Sequence, residues 1–322
     1  MVFRILRIAA TIAPLFLAAA ANAETTTLRV GHFPNVTHVQ GLIGHHLSRI
    51  GKGWFEQRLG PDVKIEWFVY NAGPSAMEAI FARSVDLTYV GPSPAINAYS
   101  RAGGKEIKIV AGAADGGAAL VVQPELSVSS AADLKGKKMA TPQLGNTQDI
   151  SARAWASAGG LRVTLSGGDL QILPTANPDQ LALFKTKQLD AVWTVEPWVS
   201  RLEKEADGKV AVEETKAVTT VLASSDRALA ERPQLVAKFV QAHRELTEWI
   251  KSHEAEAQDM VRQELAEETR GQISADIIAR AWKRITLTDK VDLGELKTFV
   301  GNAEKAGLLK NPPDLNNLVA SP

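Results

Sequence analysis

Residues Glu78-Ala-Ile-Phe-Ala-Arg-Ser-Val-Asp-Leu-Thr-Tyr-Val-Gly-Pro92 and Leu181-Ala-Leu-Phe-Lys-Thr-Lys-Gln-Leu-Asp-Ala-Val-Trp-Thr-Val-Glu-Pro197 are built to one layout. Each reads as an amphipathic helix, a basic turn, an Asp, an apolar strand and a Pro that opens the next helix. That unit belongs to an α/β fold with largely parallel strands, because the helix carries the chain back across the sheet between strands running the same way. Its recurrence, with Asp86 and Asp190 at equivalent points, predicts two lobes of like architecture. Working outward, short apolar runs predict strands at 28–33, 64–70, 86–91, 107–112, 118–123, 137–142, 170–174, 190–195 and 219–224. Between them apolar residues recur every three or four positions, as in Val39, Leu42, Ile43, Leu47 and Ile50 or in Val236, Phe239, Val240, His243, Leu246 and Ile250. Beyond about Asp226 the pattern is almost entirely helical.

A chain of 322 residues usually divides its apolar content between two cores. The first lobe is expected over 24–116 and 217–322 and the second over 117–216, with two hinge crossings near 113–121 and 217–224. The 36 Lys and Arg balance 36 Asp and Glu, so the chain lacks the positive field on which sequence-independent nucleic-acid binding rests. The absence of cysteine removes disulfides, zinc knuckles, iron–sulfur clusters and thiol nucleophiles. At the amino terminus Arg4 and Arg7 precede an apolar run over 8–20 that ends in Ala21-Asn22-Ala23. This is the pattern of a cleavable export signal over 1–23; a membrane span needs about 20 apolar residues. No cysteine follows to carry a lipid, so a free periplasmic protein is expected, with 34 basic against 36 acidic residues once Arg4 and Arg7 are gone.

In open α/β sheets ligands collect at the carboxyl ends of strands, where the next helix presents unpaired N–H groups and the positive end of its dipole. Five such junctions carry helix-start residues. They are Asn35 or Thr37, the run Asn71-Ala-Gly-Pro-Ser75, Ser93 as cap with Pro94 at the first helical position, Gly145-Asn-Thr-Gln148, and Glu196-Pro-Trp198. Every helix needs a cap, so each junction alone has a structural explanation. Together they predict a cleft between lobes lined by N–H and O–H donors, suited to a sulfonate, sulfate or nitrate without a nearby lysine or arginine.

Four segments carry a family likeness: Arg29-Val-Gly-His-Phe-Pro-Asn-Val-Thr-His38, Asp86-Leu-Thr-Tyr-Val-Gly-Pro-Ser-Pro94, Asp133-Leu-Lys-Gly-Lys137 and Asp190-Ala-Val-Trp-Thr-Val-Glu-Pro-Trp198. With the export signal, they resemble the periplasmic substrate-binding proteins of ABC importers for nitrate, taurine and alkanesulfonates. The resemblance implies a two-lobed type II periplasmic binding protein fold, each lobe a mostly parallel sheet flanked by helices, closing on its ligand without catalysing a reaction. It implies a monomer without cofactor that delivers a small anion, an alkanesulfonate or taurine first and nitrate or a related anion next, to an ABC permease in the inner membrane. Matched position by position, the ligand contacts fall on Asn35, Thr37, His38 and Ser93 of the first lobe, and on Asn146, Thr147, Gln148, Glu196 and Trp198 of the second.

Glu196 would repel an anion, so it is expected to cap its own helix; the alternatives are a bound water or an amine on the ligand. Tyr89 and Trp193 are expected to point into the cores, leaving Trp198 as the aromatic wall of a pocket. A second function is an exported zinc-binding protein using His32, His38, His45 and His46. Against it, no neighbouring Asp or Cys completes a ligand set, and His38 and His45 lie two helical turns apart. His243 reads as a core residue and His253 as surface. The elbow, zincin, P-loop and dinucleotide motifs of common enzymes are absent. The pyrimidine-precursor synthases that resemble these binding proteins carry a cysteine-rich motif that this chain lacks. Ser93 and His38 have no orienting acid, so no reaction is expected.

Overall fold

The computed structural model describes residues 25–322 apart from Ser166 and Ser321; the export signal expected over 1–23 lies outside the described residues. The chain runs through β1 (Thr26–His32), α1 (Val39–Arg49), α2 (Trp54–Leu59), β2 (Val63–Val69), α3 (Gly73–Phe81), β3 (Leu87–Val90), α4 (Pro92–Arg101) and β4 (Ile107–Gly116). It continues through β5 (Ala118–Val122), β6 (Lys138–Thr141), α5 (Thr147–Ala158), the short pair β7 (Val163–Thr164) and β8 (Gly167–Gly168), and β9 (Gln171–Pro174). Then come α6 (Asn177–Lys185), β10 (Ala191–Val195), α7 (Trp198–Ala206) and β11 (Lys209–Glu214). The return strand β12 (Val218–Ser225) leads to α8 (Asp226–Glu231), α9 (Pro233–Ser252), α10 (Glu254–Thr269), α11 (Ala275–Trp282), β13 (Ile285–Leu287) and α12 (Leu293–Lys305).

All nine expected strands are present, β4 running on past the expected end to Gly116. The edge strands β11 and β13 escape the sequence reading because they are only half-buried and carry no continuous apolar run. One sheet has the order β13-β4-β12-β3-β1-β2 and the other β11-β5-β10-β6-β9. Four of the six strands of the first sheet and four of the five of the second run the same way, so the sheets are mostly parallel as expected, each with antiparallel strands inserted. β1 runs parallel to β2 and β3, and β6 parallel to β9 and β10, but β12 is antiparallel to β3 and β4, and β5 to β10 and β11. The cause is the crossing: a strand that arrives from the other lobe starts at the cleft, where its neighbours end.

The repeated Asp has one job in both lobes. Asp86 Oδ2 accepts the backbone N–H of Arg29 at 2.9 Å, and Asp190 Oδ2 accepts that of Lys138 at 2.8 Å. Their own N–H groups donate to the carbonyls of the same two residues, at 2.8 and 2.9 Å. Each carboxylate thus pins the start of its strand to the neighbouring parallel strand. The first sheet buries Leu28, Val30 and Tyr89 against Leu42, Ile43 and Phe239 on one face, and Val90 and Ile109 against Ile80, Ile96 and Phe299 on the other. The second buries Met139 and Trp193 against Ala152, and Val121 and Val192 against Phe184 and Leu202. Tyr89 and Trp193 therefore serve the cores as expected. His243 is fully buried between the Tyr89 hydroxyl and the Gly112 carbonyl, and burial lowers its pKa to about 4.

The lobes meet at Gly116 and Gly117, whose φ of 74° and 73° lies in the left-handed region, and again at the start of β12. Arg284, just before β13, reaches from here into the second lobe. Its Nη1 lies 2.9 Å from Glu196 and 3.0 Å from Glu203, and its Nε 3.3 Å from Glu213. Glu196 is fully buried; burial pushes its pKa up, while the Ser200 N–H, Arg284 and the Ser200 hydroxyl pull against that rise. Asp115 precedes the crossing with Oδ1 unpartnered, and burial, reinforced by Asp292 and Glu295, raises its pKa to about 6.

Two outcomes follow. An unfolded Asp titrates near 3.9, so Asp115 makes folding take up a proton, and stability falls as pH rises from about 4 to about 6. Asp115→Asn is expected to raise the melting temperature at pH 7 and not at pH 4 by calorimetry; an equal shift at both pH values rejects this account. Arg284→Gln leaves the buried Glu196 carboxylate without its cation and is expected to cost about 3 kcal/mol in chemical denaturation. The loss should be smaller at pH 5 than at pH 8, because Glu196 then takes up a proton more readily.

Candidate functional site

The carboxyl ends of β1, β2, β3, β6 and β10 face one cleft, and a cavity of about 20 Å³ lies in it, the room of a group little larger than a water. Six of the nine expected contacts line it: Asn35, Thr37 and His38 from the first lobe, and Asn146, Thr147 and Gln148 from the second. No lysine, arginine, aspartate or glutamate lines it among the described residues.

Helix starts supply its polarity, though not through the caps expected. Of the residues that stand directly before these helices only Asn146 caps with its own side chain, Oδ1 accepting the Asp149 N–H at 2.9 Å. The helix expected to start from Ser93 and Pro94 begins earlier, with Gly91 as cap and Pro92 at the first position, whose fixed φ already suits a helix. Ser93 is thereby drawn inside the first turn, its hydroxyl buried and unpartnered, and it does not line the cavity. The next helix likewise starts from Ala72 and Gly73, not from Asn71, although all three border the cavity. Neither Ala72 nor Gly91 offers a capping side chain, and because Pro74, Pro92 and Pro94 carry no N–H, the N–H group left free at the cavity by these two starts is that of Gly73 in α3.

His38 is buried, and burial, with the charge of His32 adding to it, pushes its pKa well below the ordinary value. The Phe33 N–H points at its Nδ1 at 3.4 Å; a backbone amide only donates, so the neutral ring carries its proton on Nε2. The Thr147 hydroxyl is buried with no hydrogen-bond partner. It packs on Gly91, where a Cβ would fall inside its van der Waals envelope. The φ of Gly91 is an ordinary −66°, so glycine serves here for space, not for conformation.

Two expected contacts stand behind the cavity. Trp198 is no wall: its indole N–H donates to Asn35 Oδ1 at 3.1 Å, and Asn177 donates to the same oxygen at 3.4 Å. Asn35 is thus held across the cleft and does not cap. The Glu196 oxygens accept the Ser200 N–H at 3.0 Å and hydroxyl at 2.9 Å, so it caps its own helix as expected, with Arg284 as a partner 88 residues away that the sequence did not disclose. A second concealed pair, Asp149 and Arg153, is buried beneath the start of α5 at 2.9 Å. The four histidines separate: His38 faces the cavity, while His32 and His45 meet Glu268 on the far side of β1. The missing acids of that cluster, Glu264 and Glu268, come from α10.

Residues 21–265 match the model of the NMT1-like family. A Bacillus subtilis (strain 168) protein named for binding aliphatic sulfonates is 27% identical over 219 residues, 65% of this chain and 63% of that one. The alkanesulfonate-binding protein SsuA from Xanthomonas axonopodis pv. citri, solved bound to MOPS, matches with a TM-score of 0.73 at 20% identity, over 93% of this chain and 99% of that one. A ligand-binding component of an ABC-type import system from Staphylococcus aureus, solved with zinc bound, matches with a TM-score of 0.72 at 16% identity, over 92% and 97%. The architecture is that of the two-lobed periplasmic binding proteins, and with well over half of its length under the family model, the chain belongs to the NMT1-like family.

Proposed function

We propose that this chain is the exported, periplasmic substrate-binding component of an ABC importer and captures a small organic anion, a short alkanesulfonate or taurine before nitrate. The observation that carries this reading is the cavity itself: uncharged, tight, and placed where the starts of α3, α4 and α5 converge from both lobes. Backbone N–H groups, the Thr147 hydroxyl and the His38 Nε2–H are all donors, the complement of an oxyanion. The names of the Bacillus and Xanthomonas proteins support a sulfonate. Neutral donors also favour release, because no buried ion pair must be broken when the cleft opens.

Lobes over 24–116 with 217–322, and over 117–216, would close about the crossings at Gly116–Gly117 and before β12, and only the closed monomer would dock on the permease. Glu196, Trp198 and Ser93 fit a supporting role: Trp198 sets Asn35, and Glu196 receives Arg284 when the lobes meet. Zinc as cargo is not supported, since one histidine and no carboxylate line the cavity.

Calorimetric titration of the mature protein with taurine, short alkanesulfonates, nitrate and sulfate is expected to give micromolar binding of a sulfonate, about −8 kcal/mol. Binding of none of these anions overturns the proposal. Thr147→Ala is expected to lose about 1–3 kcal/mol of that affinity, a lost hydrogen bond from a buried donor. Gly91→Ala is expected to weaken binding by preventing Thr147 from approaching α4, with the fold intact by circular dichroism; unchanged affinity would remove Thr147 and Gly91 from the closed site.

A further inference from the structure

On the far side of β1, His32 Nε2, His45 Nδ1 and Glu268 Oε1 stand at the corners of a triangle whose three sides are all 3.0 Å. Glu264 Oε1 lies 3.1 Å from the same His45 nitrogen. His32, Glu264 and Glu268 are almost completely buried, and the Trp67 ring closes the cluster, stacked on His45 and edge-on to His32 with centroids 5.6 Å away in each case.

Hydrogen bonds alone do not account for this triangle. Three contacts at 3.0 Å need three protons, one between each pair, but each imidazole nitrogen holds at most one and the carboxylate brings none. The partners outside the triangle tighten the count. His32 Nδ1 faces the Phe33 carbonyl at 3.4 Å, so its proton belongs there and its Nε2 presents a lone pair to the carboxylate. Protonating both rings instead sets two N–H groups head-on at 3.0 Å. With the carboxylate ionised, every protonation state of the rings leaves one short contact repulsive. Beside it, Glu268 Oε2 and His46 Nδ1 are buried without hydrogen-bond partners, the latter 3.6 Å from Glu264 Oε2.

A cation removes the conflict, because all three atoms can then direct lone pairs at one point. The centre of such a triangle is about 1.7 Å from each corner, so an ion at the roughly 2.0–2.2 Å of zinc–nitrogen and zinc–oxygen bonds sits about 1 Å out of its plane. We propose that His32, His45 and Glu268, with Glu264 as fourth ligand, form a divalent-metal site of the zinc class that fastens α10 to β1 and α1. Two imidazoles and two carboxylates suit a borderline ion and balance its charge. The Phe33 carbonyl holds His32 in the tautomer that ligates through Nε2. Arg49, which reaches His45 Nε2 at 3.2 Å and Glu264 at 2.7 Å, must swing outward, and its 42% exposure leaves it room to do so.

The site stands apart from the cleft, and its test separates the two. Full-length mature protein, stripped with a chelator, is titrated with zinc chloride alone by calorimetry and followed by thermal melting. One zinc per chain and a chelator-reversible rise in melting temperature are expected. His45→Gln and Glu268→Gln should lower zinc affinity by more than about 100-fold, while Thr147→Ala leaves it unchanged. Should either ligand variant fold poorly, cobalt on the wild-type chain is the second measurement, with the intense visible bands of a four-coordinate nitrogen and oxygen site expected. No stoichiometric zinc on the wild type, full affinity in folded His45→Gln and Glu268→Gln, weak six-coordinate cobalt bands, or loss of zinc in Thr147→Ala each overturn the proposal, the last by moving the metal into the cleft.

Discussion

Two carboxylates at the starts of strands set the geometry on which the cleft depends. Asp86 and Asp190 each donate a backbone N–H to a carbonyl of the neighbouring parallel strand and accept the N–H of that same residue on the side chain. Because side chains alternate with a period of two, a slip of one residue would turn Tyr89 or Trp193 out of its core. The same bonds fix how far each strand reaches toward the cleft, and so where Gly91 and Val195 arrive. In the first lobe Asp86 does more: Arg227 and Arg232 approach it at 2.8 and 2.7 Å and bind the start of the helical C-terminal third to the sheet. A fully buried carboxylate of this kind is costly to leave unpaired, so the sheet and the helices that cover it stand or fall together.

The cleft keeps full charges one layer back. Asp149 is answered by Arg153 and Glu196 by Arg284, so what reaches the cavity is a set of dipoles: helix starts, a neutral imidazole, amides and a hydroxyl. Dipoles fixed in a dry site act strongly on a small anion without holding it as a buried ion pair would. The charged pairs still matter for the site. Glu196 organises the first turn of α7, from which Trp198 reaches over to hold Asn35, so a contact made outside the cavity decides how one of its walls is presented.

Much of this was legible in the sequence, and the exceptions have physical causes. Strand periodicity and the repeated Asp placed the nine expected strands, and helix-start residues together with the family resemblance placed six lining residues. Ser93 was misplaced by one signal overriding another: Pro92 starts a helix as readily as Pro94 does, and the earlier proline won. Trp198 was read as a wall because an aromatic beside a ligand site usually packs on the ligand, whereas here its N–H found Asn35. The partners Arg284 and Glu268 were invisible for a plainer reason. They join residues far apart in the chain, 88 positions in the case of Arg284, and no local pattern marks such an Arg or Glu as the complement of a buried group far upstream.

The return strand carries a consequence for how the molecule assembles. β12 lies between β3 and β4, so the larger sheet has a gap at its middle until residues 218–225 have been made and delivered. The smaller sheet draws all its strands from the uninterrupted stretch between Ala118 and Glu214. Its pairings close shorter loops and require nothing from outside. The inserted half is therefore the self-sufficient one, and the half that begins the chain must wait for it, its two β-strand edges held apart until the last connection comes home.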